Sequence, residues 1–74
     1  MMNKLDMVKV MEVYRSWRED IEELLEEGYE GTYDAGEIVA QNDFVEQCGY
    51  NGINLEDLDH DEIFDLMLKL EEEY

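Results

Sequence analysis

Met7, Val10, Tyr14, Trp17, Ile21 and Leu24 follow one another at alternating steps of three and four residues, the spacing of one face of an α-helix. No glycine or proline interrupts this ladder before Gly28, and the chain contains no proline at all. Asn3 is placed to cap a helix starting at Lys4, with Asp6 in the first turn and Gly28 as its terminator. The ladder therefore predicts a helix of about 24 residues, ~36 Å long at 1.5 Å per residue. Turning about 100° per residue, Val10, Val13, Tyr14, Trp17, Ile21, Leu24 and Leu25 share one stripe, expected to face a core. Opposite them in the second half stand Glu19, Glu22, Glu23, Glu26 and Glu27. In the first half that opposite side carries Leu5 and Val8, with Met11 at its margin.

The rest of the chain reads as shorter helices between loops. Gly28–Tyr33 (GYEGTY) is a loop with two glycines. Asp34 followed by Glu37 has the spacing of a capping box, opening a second helix through Ile38, Val39, Val45 and Cys48 to a stop at Gly49. Asn42-Asp43 is a candidate kink, since both residues prefer caps to helix interiors. Tyr50–Asn54 is a turn whose Asn51-Gly52 lacks the alternating flanks of a hairpin. Asn54 can cap a short turn holding Leu55 and Leu58. Asp59 with Glu62 forms a second box, starting a helix with Ile63, Phe64, Leu66, Met67 and Leu70 on its apolar face. The expected fold is all-α: three main helices, the N-terminal one long, with or without a short helical turn between the last two.

Seventy-four residues predict one acidic helical domain over 1–74. Cys48 is the sole cysteine, which excludes an internal disulfide and a cysteine-rich zinc cage. No stretch approaches the ~20 apolar residues of a membrane span. The charged N-terminus is unlike a secretory signal. A cytoplasmic protein is expected.

The charge is anomalous. Twenty-two acids against five bases leave a net charge of −17. Between Glu19 and Leu68 there is neither lysine nor arginine. Such self-repulsion destabilises the compact state and exceeds the net charge of about 2–8 that solubility requires. Glu19/Glu23, Glu22/Glu26 and Glu23/Glu27 are like-charge pairs one turn apart, each costing a few tenths of a kcal/mol. Glutamates in the last turns of a helix also oppose its dipole. Local preferences broken without structural gain point to function.

Sites for catalysis and metals are poorly specified. Asp57, Asp59 and Asp61 match the first three ligands of a calcium loop, but Glu62 replaces its turn glycine and Leu68 its closing glutamate. His60, the only histidine, sits among solvated acids near a helix start. No phosphate loop, catalytic triad or zinc spacing is present. No enzyme activity, cofactor or specific metal is expected, and only unselective cation binding remains as a third reading. Direct nucleic-acid binding is disfavoured, because polyanions repel and no basic patch exists.

A partner that itself binds nucleic acid fits better. The expected function is that of an acidic inhibitor or decoy, occupying a cationic groove by mimicking a phosphate backbone. In size, charge and helicity the chain resembles, in type only, phage and mobile-element proteins that block restriction enzymes, CRISPR effectors or other nucleases. The expected contact residues are Glu19, Glu22, Glu23, Glu26 and Glu27, with Asp57, Asp59, Asp61 and Glu62 as a second cluster. Tyr29, Tyr33 and Tyr50 are candidate aromatic anchors. The alternative is an acidic antitoxin- or immunity-type or other charge-steered protein-interaction module using the apolar face of Leu5, Val8 and Met11, a face that is also the candidate for joining two copies of the chain.

Overall fold

The computed structural model describes residues 6–74. The chain adopts the expected all-α architecture of three helices, α1 (Met7–Glu26), α2 (Ile38–Tyr50) and α3 (His60–Glu73), with no strand among the described residues. α2 returns along α1, placing Gln47 and Asn51 beside Lys9 and Val13 while Phe44 meets Trp17. α3 runs along α1 in the same sense as α1. Leu66 and Lys69 lie beside Met7, and Glu71 and Tyr74 beside Tyr14 and Arg18.

Helix ends obey local chemistry, with several departures from expectation. Asp6 is extended (φ −78°, ψ 95°) and its carboxylate accepts from the Lys9 N–H at 3.2 Å. It is therefore the N-cap, not a first-turn residue, and α1 has 20 residues. The expected Asn3 cap and Lys4 start lie outside the described residues. At the other end Gly28 takes a left-handed conformation (φ 98°). Its N–H donates to the Leu25 carbonyl at 3.1 Å and that of Tyr29 to Leu24 at 3.0 Å, the paired closure of a Schellman motif.

The same device ends α2. Gly52 has φ 78°, and the N–H groups of Gly52 and Ile53 donate to Gly49 and Cys48. Ile53 and Cys48 are both buried, providing the apolar clasp of that motif. Thus α2 runs unbroken through Asn42-Asp43 and past Gly49, because the left-handed residue that stops it lies three positions later. The Asp34–Glu37 box does not form. Asp34 instead accepts from the Gly36 N–H at 2.9 Å, closing a tight turn before the helix, and Glu37 is an N-cap without a side-chain bond. The Asp59–Glu62 box does form: Glu62 N–H donates to Asp59 at 2.9 Å and Asp59 N–H to Glu62 at 3.1 Å. Asn54 accepts from Glu56 N–H, and Leu58 N–H donates to Leu55, giving a single turn rather than a fourth helix.

The core is centred on three aromatic rings from α1 and α2. Tyr14, Trp17 and Phe44 have ring centroids 5.4–5.7 Å apart, Tyr14 meeting Phe44 edge-on, a favoured aromatic geometry. Val10, Cys48, Leu55, Met67 and Leu70 close around them, essentially without exposure. Leu24 and Leu25 were expected in this stripe but are exposed and half-buried respectively, because α2 and α3 do not cover the last turns of α1. Phe64 is likewise exposed, at the edge of the face made by Ile63, Met67 and Leu70. Buried Gln41 ties three segments together. Its Nε2 donates to the Ala35 carbonyl at 2.7 Å, which leaves its Oε1 to accept from His60 Nδ1 at 3.3 Å. Among the described residues, no helix is long and apolar enough to cross a membrane.

Candidate partner-binding surface

The C-terminal end of α1 stands clear of the core, its last fully buried residue being Ile21. Glu19, Asp20, Glu23, Glu26 and Glu27 are all exposed there. Among the described residues the only salt bridges are those of Arg18, with Glu22 and Glu71. The pairs Glu19/Glu23 and Glu23/Glu27 thus stay uncompensated one turn apart. No helix has a basic residue in its last turn, so nothing there offsets the dipole either.

Glu22 differs from its neighbours. Arg18, one turn earlier, donates to it from Nη1 and to Glu71 of α3 from Nε and Nη2, the latter two at 2.8 Å. The guanidinium lies 3.6 Å from the Tyr33 ring centroid and 4.9 Å from that of Tyr74, within reach of cation–π attraction. The Tyr14 hydroxyl also donates to Glu71. Hydrogen bonds from Arg18 hold the Glu71 carboxyl below the usual carboxylate range. Burial, reinforced by Glu71, pushes the Tyr14 hydroxyl above the ordinary tyrosine value. Arg18 therefore latches α1, α3 and the loop before α2 together, and Glu22 and Tyr33 belong to this latch.

The second acidic cluster is exposed at the start of α3, but part of it has local work. Asp59 and Glu62 form the capping box, and Asp61 lies in the first turn, where negative charge complements the dipole. Asp57 has no such task. Glu62 lines a groove with Met7, so this cluster sits near the start of α1, roughly 24 Å along the helix from Glu23 at 1.5 Å per residue. The two clusters are not brought together as one patch. Because α3 begins at His60, the chain cannot curl into a calcium loop there. Among the described residues no group of three or more His, Cys, Asp or Glu is placed to hold a metal ion. Cys48 is fully buried, and burial pushes its thiol up to about 12.

Of the other aromatic candidates, Tyr29 is half-exposed with its ring against Gly31. Tyr50 is 74% exposed and its hydroxyl donates to Glu46 at 3.0 Å. On the N-terminal apolar face Val8 is exposed, Met11 turns partly into the core, and Leu5 lies outside the described residues.

Sequence reasoning missed two features. One is the Arg18 latch, whose only sequence signal is Glu22 one turn beyond Arg18. The other is the outer face of α2, where Ile38 and Val39 are 47% and 55% exposed. Projecting α2 around its axis would have revealed it, since its apolar residues occupy both sides. Compared with known proteins, the chain matches no family model, no curated protein and no solved structure.

Proposed function

We propose that this protein is an acidic decoy that binds a basic, nucleic-acid-handling protein, such as a nuclease or a restriction or CRISPR-type effector, in place of a phosphate backbone. The observation that carries the reading is the projecting end of α1, with five exposed carboxylates and no cation paired to them among the described residues. One strand of B-DNA presents a phosphate about every 3.4 Å, and carboxylates one helical turn apart stand about 6 Å from each other. Glu19, Glu23 and Glu27 on one row, flanked by Asp20 and Glu26, offer a comparable line of negative charge to a groove built of lysine and arginine. Such a contact forms quickly and weakens steeply with salt. An antitoxin- or immunity-type role through the N-terminal apolar face ranks second, with Val8 as its one clearly exposed described member.

The test is a variant carrying Glu23→Gln, Glu26→Gln and Glu27→Gln, which leaves the Arg18 latch intact. Wild-type protein is expected to capture nucleic-acid-binding proteins from a cell lysate at low salt and to release them at high salt or to competing duplex DNA. The variant should lose this capture while melting no lower than wild type. Capture of the same proteins by the variant, with the same salt and DNA response, refutes the decoy reading.

A further inference from the structure

α2 departs from the rest of the chain. Its thirteen residues carry two acids, Asp43 and Glu46, and no base, in a protein of net charge −17. Ala40, Phe44 and Cys48 point inward and are fully buried. Ile38, Val39 and Tyr50 point outward and are exposed, with Val45 half-buried near them. Asn42, Asp43 and Glu46 share this outer side, so it is a mixed face on which apolar side chains stand uncovered beside polar ones.

Beside that face lies a groove of about 680 Å³ between the C-terminal half of α2 and the segment that follows it. Asn42, Val45, Gly49, Tyr50, Ile53 and Leu55 line it, together with Glu46, whose carboxylate accepts from the Tyr50 hydroxyl, and Glu56. Gly49 is the informative residue. It lies inside the helix, where glycine weakens the structure relative to alanine, and its φ is not positive. A Cβ built there would meet nothing within 4 Å. Neither backbone conformation nor internal packing asks for glycine, and its missing side chain leaves the groove open. This is a local cost without local gain.

We propose that the outer face of α2 and this groove dock an amphipathic cationic segment of a partner protein. Apolar residues of that segment sit over Val45, Gly49 and Ile53, and its lysine or arginine side chains meet Glu46 and Glu56. This is the helix-in-groove mode of recognition, with apolar anchors and charged flanks. Charge selects the occupant: a second copy of the chain would bring −17 against −17 and place glutamates against glutamates. The inference deepens the decoy reading and rests on its basic partner, but it assigns the apolar anchoring to a face other than the α1 ridge.

Two synthetic peptides of equal length and charge test it, a helical Leu/Lys peptide and a Ser/Lys peptide without apolar residues, titrated calorimetrically against the full chain. Wild type is expected to bind the Leu/Lys peptide at least about tenfold more tightly, the scale set by one or two buried apolar side chains. Gly49→Gln should abolish that preference without lowering the melting temperature, and Ile38→Ser should reduce it. The triple glutamine variant of the α1 ridge should keep the preference. If the ridge variant keeps the peptide preference and still captures the same nucleic-acid-binding proteins as wild type, the decoy ridge fails while the α2 site stands. Equal affinity of wild type for the two peptides overturns the site, as does a preference that survives Gly49→Gln. So does a concentration-dependent dimer in sedimentation that Gly49→Gln dissociates, because the occupant is then a second copy.

Discussion

Glu71→Gln removes one charge from the Arg18 latch while keeping nearly the same side-chain shape. Glu71 accepts from the Tyr14 hydroxyl and from two nitrogens of Arg18, both at 2.8 Å. The Arg18 side chain is 7% exposed and that of Glu71 40%. Removing one partner of a fully buried ion pair costs about 3–5 kcal/mol. Two features reduce this: water reaches Glu71, and Arg18 keeps Glu22. About 2–3 kcal/mol is the resulting estimate. A domain of this length has about 4–11 kcal/mol in total, so the melting temperature should fall by roughly 10–20 °C. Urea unfolding followed by Trp17 fluorescence reads the loss directly, because this single tryptophan is buried against Phe44.

The pH dependence has a definite sign. Arg18 lowers the folded pKa of Glu71. The carboxylate therefore contributes fully above its unfolded value of about 4.3, and the contribution fades as pH falls through the lowered folded value. The gap between wild type and Glu71→Gln should be complete at neutral pH, begin to narrow near the unfolded value of about 4.3, and close only as pH falls through the lowered folded value. A double-mutant cycle with Arg18→Met should give a coupling of at least about 1 kcal/mol. A loss under ~0.5 kcal/mol would mean the pair behaves as an ordinary surface ion pair, and a gap that does not change with pH would mean that the Glu71 charge is not what holds α3 in place.

Three further outcomes follow from local geometry. Gly49→Ala should stabilise the protein by about 0.5–1 kcal/mol, whereas Gly52→Ala, at φ 78°, should destabilise it by about 1 kcal/mol or more; urea midpoints separate the two. Asp59→Ala removes one half of the capping box on α3 and should cost about 1 kcal/mol in the same assay. Cys48, fully buried with its thiol pushed up to about 12, should react with a thiol reagent such as DTNB only at the rate of global unfolding, while equally fast labelling of native and denatured protein would contradict its placement.

The long helix was legible because its signal is periodic and strong: Val10, Tyr14, Trp17 and Ile21 repeat on one face with no interrupting glycine. The Asp59–Glu62 box was legible because both partners lie within one turn. The Asp34–Glu37 pair has the same spacing, but Asp34 is drawn into a turn with Gly36, a competition that spacing alone does not resolve. Leu24 looked like core because periodicity records which face a residue is on, not whether a neighbouring helix reaches it. Glu22 looked like a member of the ridge because Glu71, which shares its arginine, is 49 positions away.

Local order thus follows from the sequence itself: helix content, the stop at Gly28, the cap of α3, and a charge excess too large for solubility alone. Those features depend on residues within a turn of one another and on the sum of the charges. Tertiary structure decided which carboxylates remain unpaired and that Arg18 is buried against two tyrosines. Each of these depends on how far a neighbouring helix extends and at what register it packs, and a one-dimensional pattern contains neither distance.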